Sequence, residues 1–199
     1  MKKFVLFLIL LFFCVRLYSQ SVSGEENFRN EVRIGLFQFL GGTINFSYEH
    51  YFKPVSSIVA EGNFTLIKDN KENVIGGKAE LQYRFYVKQN FKNKGICRLD
   101  GIFVGPYFAY LNSSVTDHNY YDPLLMVYND KEFYYSTVSG GFIGGVKLLL
   151  LERFTFDLYA GGGVRYTDTN DKENRNSGIF ERGYTGIIPR INFAFGIMF

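Results

Sequence analysis

Two histidines, His50 and His118, are the only side chains of this 199-residue chain whose ordinary pKa suits a general base at neutral pH. His118 stands in Thr116-Asp117-His118-Asn119-Tyr120-Tyr121-Asp122. Asp117, His118 and Asp122 are types that ligate a metal, or that orient a nucleophile such as Ser113 or Ser114. Such a set needs a rigid frame, and a polar stretch between strands offers none, so solvated loop side chains are expected. His50 falls at the end of a strand pattern, on the side away from His118. The chain is therefore expected not to be an enzyme, with no catalytic, cofactor-binding or metal-binding residues and no cofactor.

Glycines 140, 141, 144, 145, 161, 162 and 163 pose a second question. A phosphate-cradling loop must open into a helix, and no helix signal follows Gly145 or Gly163. Their flanks alternate as strands, so these glycines are expected to bend the sheet and leave room for Arg or Tyr.

The remaining chemistry is ionic. Arg33, Arg84, Lys147, Arg165 and Arg190, with Glu49, Glu61, Glu80 and Asp157, all fall opposite large apolar residues along their strands. Inside a narrow barrel, charges this evenly matched must pair and hydrogen-bond, because an isolated buried charge is prohibitively costly. A filled lumen is the expectation; an ion path would need a wider barrel or one dominant sign.

The elements that position them have period two. Strands are expected over 31–39, 43–51 and 57–67, and over 79–87, where Ala79, Leu81, Tyr83, Phe85 and Val87 alternate with Glu80, Gln82 and Arg84. Further strands are expected over 101–111, whose facing is ambiguous, and over 136–149, 153–166 and from about 187 onward. In the last of these, Ile191, Phe193, Phe195, Ile197 and Phe199 make one apolar strip, which a soluble edge strand rarely carries. Eight strands of nine to eleven residues fit a transmembrane barrel. Polar loops over 68–77, 112–132 and 167–186 alternate with tighter turns, as in a barrel with its termini inside and its loops outside. The loop over 112–132 is unusually aromatic. Tyr120, Tyr121, Leu124, Leu125 and Tyr128 are its expected contact residues, either folded over the mouth or carried on a rigid hairpin.

The amino terminus carries Lys2 and Lys3 followed by an apolar run from Phe4 to Val15, with Ser19-Gln20 as a cleavage point. Residues 1–20 thus read as a secretory signal peptide, 21–30 as a polar lead-in and 31–199 as an outer-membrane β-barrel domain. A lipid anchor on Cys14 would follow Phe12 and Phe13, which are too bulky for that signal. Lys2, Lys3 and Arg16 leave with the leader, so the 22 basic residues fall to match the 19 acidic ones and no nucleic-acid footprint remains. Cys97 alone survives, which excludes an internal disulfide or a cysteine-zinc cluster. With 15 Tyr, 22 Phe and no Trp, the apolar residues are dispersed at alternate positions, and Tyr and Phe must form any interfacial belt.

Taken together, Ser47-Tyr48-Glu49-His50, Tyr83-Arg84-Phe85-Tyr86, Gly105-Pro106-Tyr107, Gly161-Gly162-Gly163-Val164-Arg165-Tyr166 and the terminal Phe199 resemble small outer-membrane β-barrel proteins of Bacteroidota with no assigned function. These are structural motifs and bring no catalytic residues. The expected fold is all-β, an eight-stranded antiparallel up-and-down transmembrane β-barrel in the outer membrane of a Gram-negative bacterium. The expected role is structural or interactive. Its expected partners are outer-membrane lipid, the barrel-insertion machinery at the C-terminal strand, and an extracellular protein or glycan. The chain is expected to be a monomer and to bind no nucleic acid. A lipid-active enzyme, a small ion pore and a secreted lipocalin-like carrier, which would turn its apolar face inward, are the rivals.

Overall fold

Alternating side chains produce eight strands in the computed structural model, which describes residues 29–53, 55–70, 72–87, 97–122, 127–151, 153–170 and 182–199. They are β1 (Asn30–Gly35), β2 (Thr43–Lys53), β3 (Ser56–Lys68), β4 (Glu72–Val87), β5 (Cys97–Asp122), β6 (Val127–Leu150), β7 (Phe154–Thr169) and β8 (Gly186–Met198), with a short helix α1 (Leu36–Leu40) after β1. Each strand pairs antiparallel with its sequence neighbours, and β1 pairs with β8 to close the ring. The fold is an all-β, eight-stranded, up-and-down barrel closed by the β1–β8 pairing. The proposed leader over 1–20 and most of the lead-in over 21–30 lie outside the described residues, as do Leu124 and Leu125.

Facing follows the pleat. Along β4, Leu81, Phe85 and Val87 are exposed on the outer wall while Glu80, Gln82 and Arg84 are buried inside. Strand β5, whose own residues left the choice open, turns Phe103 and Tyr107 inward and Val104 and Phe108 outward. Pairing decides this: Leu81 lies beside Phe108 and Phe85 beside Val104, so β4 transmits its facing to β5.

The first strand is shorter than its alternation suggests. It stops at Gly35, and 36–40 winds into α1, whose Leu36 and Phe39 share an outer face. Gln38 reaches inward and its Nε2 donates to Asn192 Oδ1 at 2.8 Å. Gly41 and Gly42 end the helix by donating to the Gln38 and Phe39 carbonyls, with Gly42 at a φ of 71°, where a side chain is disfavoured.

The segments 68–77 and 112–132, expected as loops, are mostly strand. Strands β3 and β4 stay paired out to Lys68 and Asn73, and β5 and β6 out to Asp122 and Val127 with a register shift between Asp117 and Tyr120. Polarity on the outer face was misleading there, because the inner face remains apolar. Val74, Val115, Phe133 and Tyr135 bury together above the rest of the interior, with Ile67 packed against them. The β5–β6 hairpin therefore continues past the point where outward residues change from Phe108 and Tyr110 to Asn112 and Ser114. Strand β7 likewise reaches Thr169, into the stretch expected as the last loop.

Candidate functional site

Charged side chains inside the barrel form two stacked layers. In the lower one, Arg33 (β1), Arg84 (β4) and Lys147 (β6) face Glu31 (β1), Glu49 (β2) and Asp157 (β7), and each of these six is no more than 1% exposed. Arg33 Nη1 donates to Glu49 Oε2 at 2.7 Å and also to Asp157. Arg84 Nη1 reaches the same Asp157 oxygen at 2.5 Å. Lys147 Nζ bridges Glu31 and Glu49 at 2.5 and 2.7 Å. Hydroxyls add to the acceptance at the two glutamates: Tyr86 donates to Glu49 at 2.6 Å, Ser57 to Glu49, and Thr155 to Glu31 at 2.5 Å. Equal numbers of cations and anions, joined by hydrogen bonds, are what burial of ions in a narrow lumen demands, and Arg33 Nη2 and Asp157 Oδ1 are the atoms of this layer left without a partner.

The upper layer repeats the pattern with Lys78 (β4) and Arg190 (β8) against Glu61 (β3) and Glu80 (β4). Lys78 Nζ lies 2.7 Å from Glu80 and 3.3 Å from Glu61, and Arg190 donates to Glu80. Gln82 couples the layers, accepting from Arg84 Nε at 2.8 Å and donating to Glu80 at 2.8 Å. Aromatic rings fill the space between: Arg84 lies over the Phe103 ring at 4.1 Å and Arg190 over the Tyr107 ring at 4.5 Å. Gly145 makes this packing feasible, since a Cβ there would stand 2.6 Å from Tyr159 Cβ and 2.7 Å from Phe103 Cζ.

Of the nine residues expected in an interior network, Arg33, Glu49, Arg84, Lys147 and Asp157 thus meet in the lower layer, and Glu61, Glu80 and Arg190 in the upper. Arg165 stands apart. It borders the lumen nearer the β5–β6 hairpin end, where its Nε donates to the Tyr184 carbonyl at 2.9 Å and its Nη2 to the Arg182 carbonyl at 3.4 Å. Sequence reasoning missed Glu31 and Lys78. Both sit two positions from a residue that was recognised, Arg33 and Glu80, so strand parity alone could have added them.

Above the upper layer the lumen widens into a chamber of about 410 Å3, bordered by Lys78, Arg165, Arg182 and Arg190 together with Ser, Thr and apolar side chains.

The histidines are not drawn to any of this. His50 Nδ1 is 2.8 Å from Asn30 Oδ1. His118 is held between Asn73 at 2.8 Å and Asp130 at 3.0 Å, and Ser114 donates instead to Glu132 at 2.7 Å. Among the described residues no group of three or more His, Cys, Asp or Glu is placed to hold a metal. Tyr120, Tyr121 and Tyr128 lie in the paired backbone of the β5–β6 hairpin. In the C-terminal strip Ile191, Phe195 and Phe199 are exposed on the outer wall, with Phe193 and Ile197 half-buried on the same face.

No protein-family model matches the chain, and neither does any curated protein. Among solved structures it is similar to the crystal structure of the N-terminal β-barrel domain of Pseudomonas aeruginosa OprF, at 11% identity and a TM-score of 0.36, over 85% of this chain and 96% of that one.

Proposed function

We propose that this chain is an integral outer-membrane β-barrel, closed to ions by its lower charge layer, which acts structurally or through its extracellular end rather than as an enzyme. One observation carries the reading: the wall is greasy outside and ionic inside. Phe46, Phe64, Leu81, Phe108, Phe142, Val164 and Ile191 are each at least 50% exposed, while the ions are buried. Water would disfavour so large a continuous apolar exterior, whereas acyl chains favour it. A soluble carrier would have the two faces exchanged.

The same reading makes outer-membrane lipid the surrounding solvent and gives the Ile191–Phe199 strip to the barrel-insertion machinery. The β5–β6 hairpin, with Tyr120, Tyr121 and Tyr128, is then the surface offered to an extracellular protein or glycan, and the barrel is a monomer. The leader over 1–20 supplies export.

Membrane fractionation and heat-modifiable migration of the detergent-purified protein test the location. Recovery in the detergent-free soluble fraction would sink it. Planar-bilayer recording tests the plug, for which no conductance steps are expected; regular steps from the wild-type protein would establish the pore reading. For the enzymatic rival, His118→Ala and Asp117→Ala are expected to leave the outer-membrane lipid profile unchanged.

A further inference from the structure

We propose that the upper chamber opens sideways through the barrel wall, in the gap that β1 leaves between β2 and β8, with α1 as its lid. Through this portal it takes a single-chain amphiphile with an uncharged, hydroxylated head. Such a ligand comes from the lipid phase, so the portal rests on the reading of the chain as a membrane barrel.

Strand pairing leaves the gap. Strand β1 stops at Gly35 beside Ala194, yet β8 runs on to Gly186 with no strand on that side. Opposite, β2 has no β1 partner beyond Phe46, so Thr43, Ile44 and Asn45 form its edge. The chamber carries the same break. Its described lining comes from every strand from β2 to β8 and from Arg182, with nothing from β1 or α1. Thr43 and Ile188, one from each edge, both border it. One missing strand leaves a slot about 5 Å wide, the spacing of neighbouring strands, which passes one hydrocarbon chain but not two abreast.

The jambs are greasy outside. Ile187 and Ile191 on β8 are each 73% exposed, and Ile44, Phe64 and Leu66 face outward across the gap. Between them α1 packs against both β2 and β8 and turns Leu36 and Phe39 outward. The opening therefore lies within the apolar band, at the end nearer the β5–β6 hairpin. As a lid α1 is built to yield. It has five residues, no side-chain cap, no acidic residue in its first turn and no basic residue in its last. Gln38 Nε2 ties it to Asn192, but Gln38 Oε1 is buried without a partner, an acceptor that an entering hydroxyl can satisfy.

The open edge of β8 sets the chemistry of the head. Phe199 and Asn30 exchange both backbone bonds, so every second position of β8 from Phe199 turns its backbone groups toward the β1 side. Above Ala194 these are Phe193, Ile191 and Pro189. Phe193 N–H donates to Asn192 Oδ1 at 2.7 Å, and Pro189 has no N–H, which an edge position tolerates. The Ile191 amide and the three carbonyls have no strand opposite. Such groups are costly beside acyl chains, and a hydroxyl both donates and accepts. A charged head finds no counter-ion inside. Lys78 and Arg190 are held by Glu61 and Glu80, Arg182 by Glu72, and Arg165 by backbone carbonyls. Ser113 and Ser139 add hydroxyls to the lining, and 410 Å3 holds a head of glycerol size.

Thiol labelling of the full-length protein carrying Ser139→Cys in phospholipid vesicles tests the portal, with modification read at position 139 by peptide mass spectrometry. N-dodecylmaleimide dissolved in the bilayer is expected to modify the thiol, while a sulfonated maleimide reports entry from the aqueous mouth. Gln38→Ala and Phe39→Ala loosen α1 from its inner and outer sides. Each is expected to speed the lipid-dissolved reagent at least threefold and to leave the sulfonated one unchanged. Monododecanoylglycerol in the bilayer is expected to slow N-dodecylmaleimide at least tenfold, and dodecyl phosphate is not. Labelling by the sulfonated reagent alone, no acceleration in either variant, equal acceleration of both reagents, or equal protection by dodecyl phosphate overturns the proposal. A heat-modifiable barrel in vesicles whose position 139 escapes N-dodecylmaleimide rejects the portal alone. A chain that stays in water without lipid rejects the membrane reading and the portal with it.

Discussion

Lys147 on β6 and Glu49 on β2 stand on diametrically opposite walls of the eight-stranded ring, yet their charged groups meet at 2.7 Å in the middle of the lumen. The pair acts as a cross-brace. Lys147 also holds Glu31, so removing its ammonium leaves two buried carboxylates facing one another. Lys147→Met is expected to destabilise the barrel by about 3–5 kcal/mol, and Glu49→Leu by a similar amount. The double variant should cost clearly less than the sum, which urea unfolding of the four proteins followed by circular dichroism would measure. Simple additivity would mean that the two groups do not interact.

Leu81 sits near the middle of the outer apolar band and is 58% exposed. Facing acyl chains, Leu81→Arg should cost about 2–4 kcal/mol, as expected for Arg near a bilayer midplane. On a water-facing wall the same change should stay within about 0.5 kcal/mol. Equilibrium unfolding in lipid vesicles separates the two, and the smaller figure would contradict a lipid-facing exterior.

At the β6–β7 turn Leu151 adopts a φ of 49°, left-handed backbone that costs a residue with a Cβ of this size on the order of 1 kcal/mol. Its side chain is 64% exposed and contributes little packing. Leu151→Gly is therefore expected to raise the unfolding midpoint, by about the strain released less the added entropy of glycine. A lowered midpoint would show that Leu151 anchors the turn through its side chain.

Outside the apolar band, Arg182 clamps Glu72 through two bonds of 2.8 Å. The hydrogen bonds and charge of Arg182 hold the Glu72 carboxyl below its ordinary value of 4.5. Folded pKa below unfolded pKa means that the clamp stabilises fully above the ordinary value and is lost as pH falls through the depressed one. Both partners are more than a third exposed, so solvent screening keeps the contribution to a fraction of about 1 kcal/mol. NMR titration of Glu72 should show its pKa returning to the ordinary range in Arg182→Gln. No movement would assign the depression to another group.

Legibility followed the reach of each signal. The faces of β4, with Leu81 and Phe85 opposite Glu80 and Arg84, can be read from the chain because alternation is a property of neighbouring residues. The end of β1 at Gly35 cannot. Beyond it Gln38 bonds Asn192, a group 154 positions away, and alternation along the chain carries no record of that neighbour. Nor could polar composition mark the ends of β5 and β6, since Asn112 and Ser114 face outward while Val115 and Phe133 still bury inward. The two members of the ionic set that were overlooked, Glu31 and Lys78, needed only the same parity rule extended one step.

What the sequence determined by itself is which residues share a face, because each extended residue turns the next side chain to the other side of the backbone. Which of the inward charges become partners was decided by the tertiary structure alone. Closing eight staggered strands into a ring sets the level at which each side chain enters the lumen. Only that geometry brings Lys147 to Glu49, joins Arg33 and Arg84 on one Asp157 oxygen, and leaves Arg165 beside an open chamber.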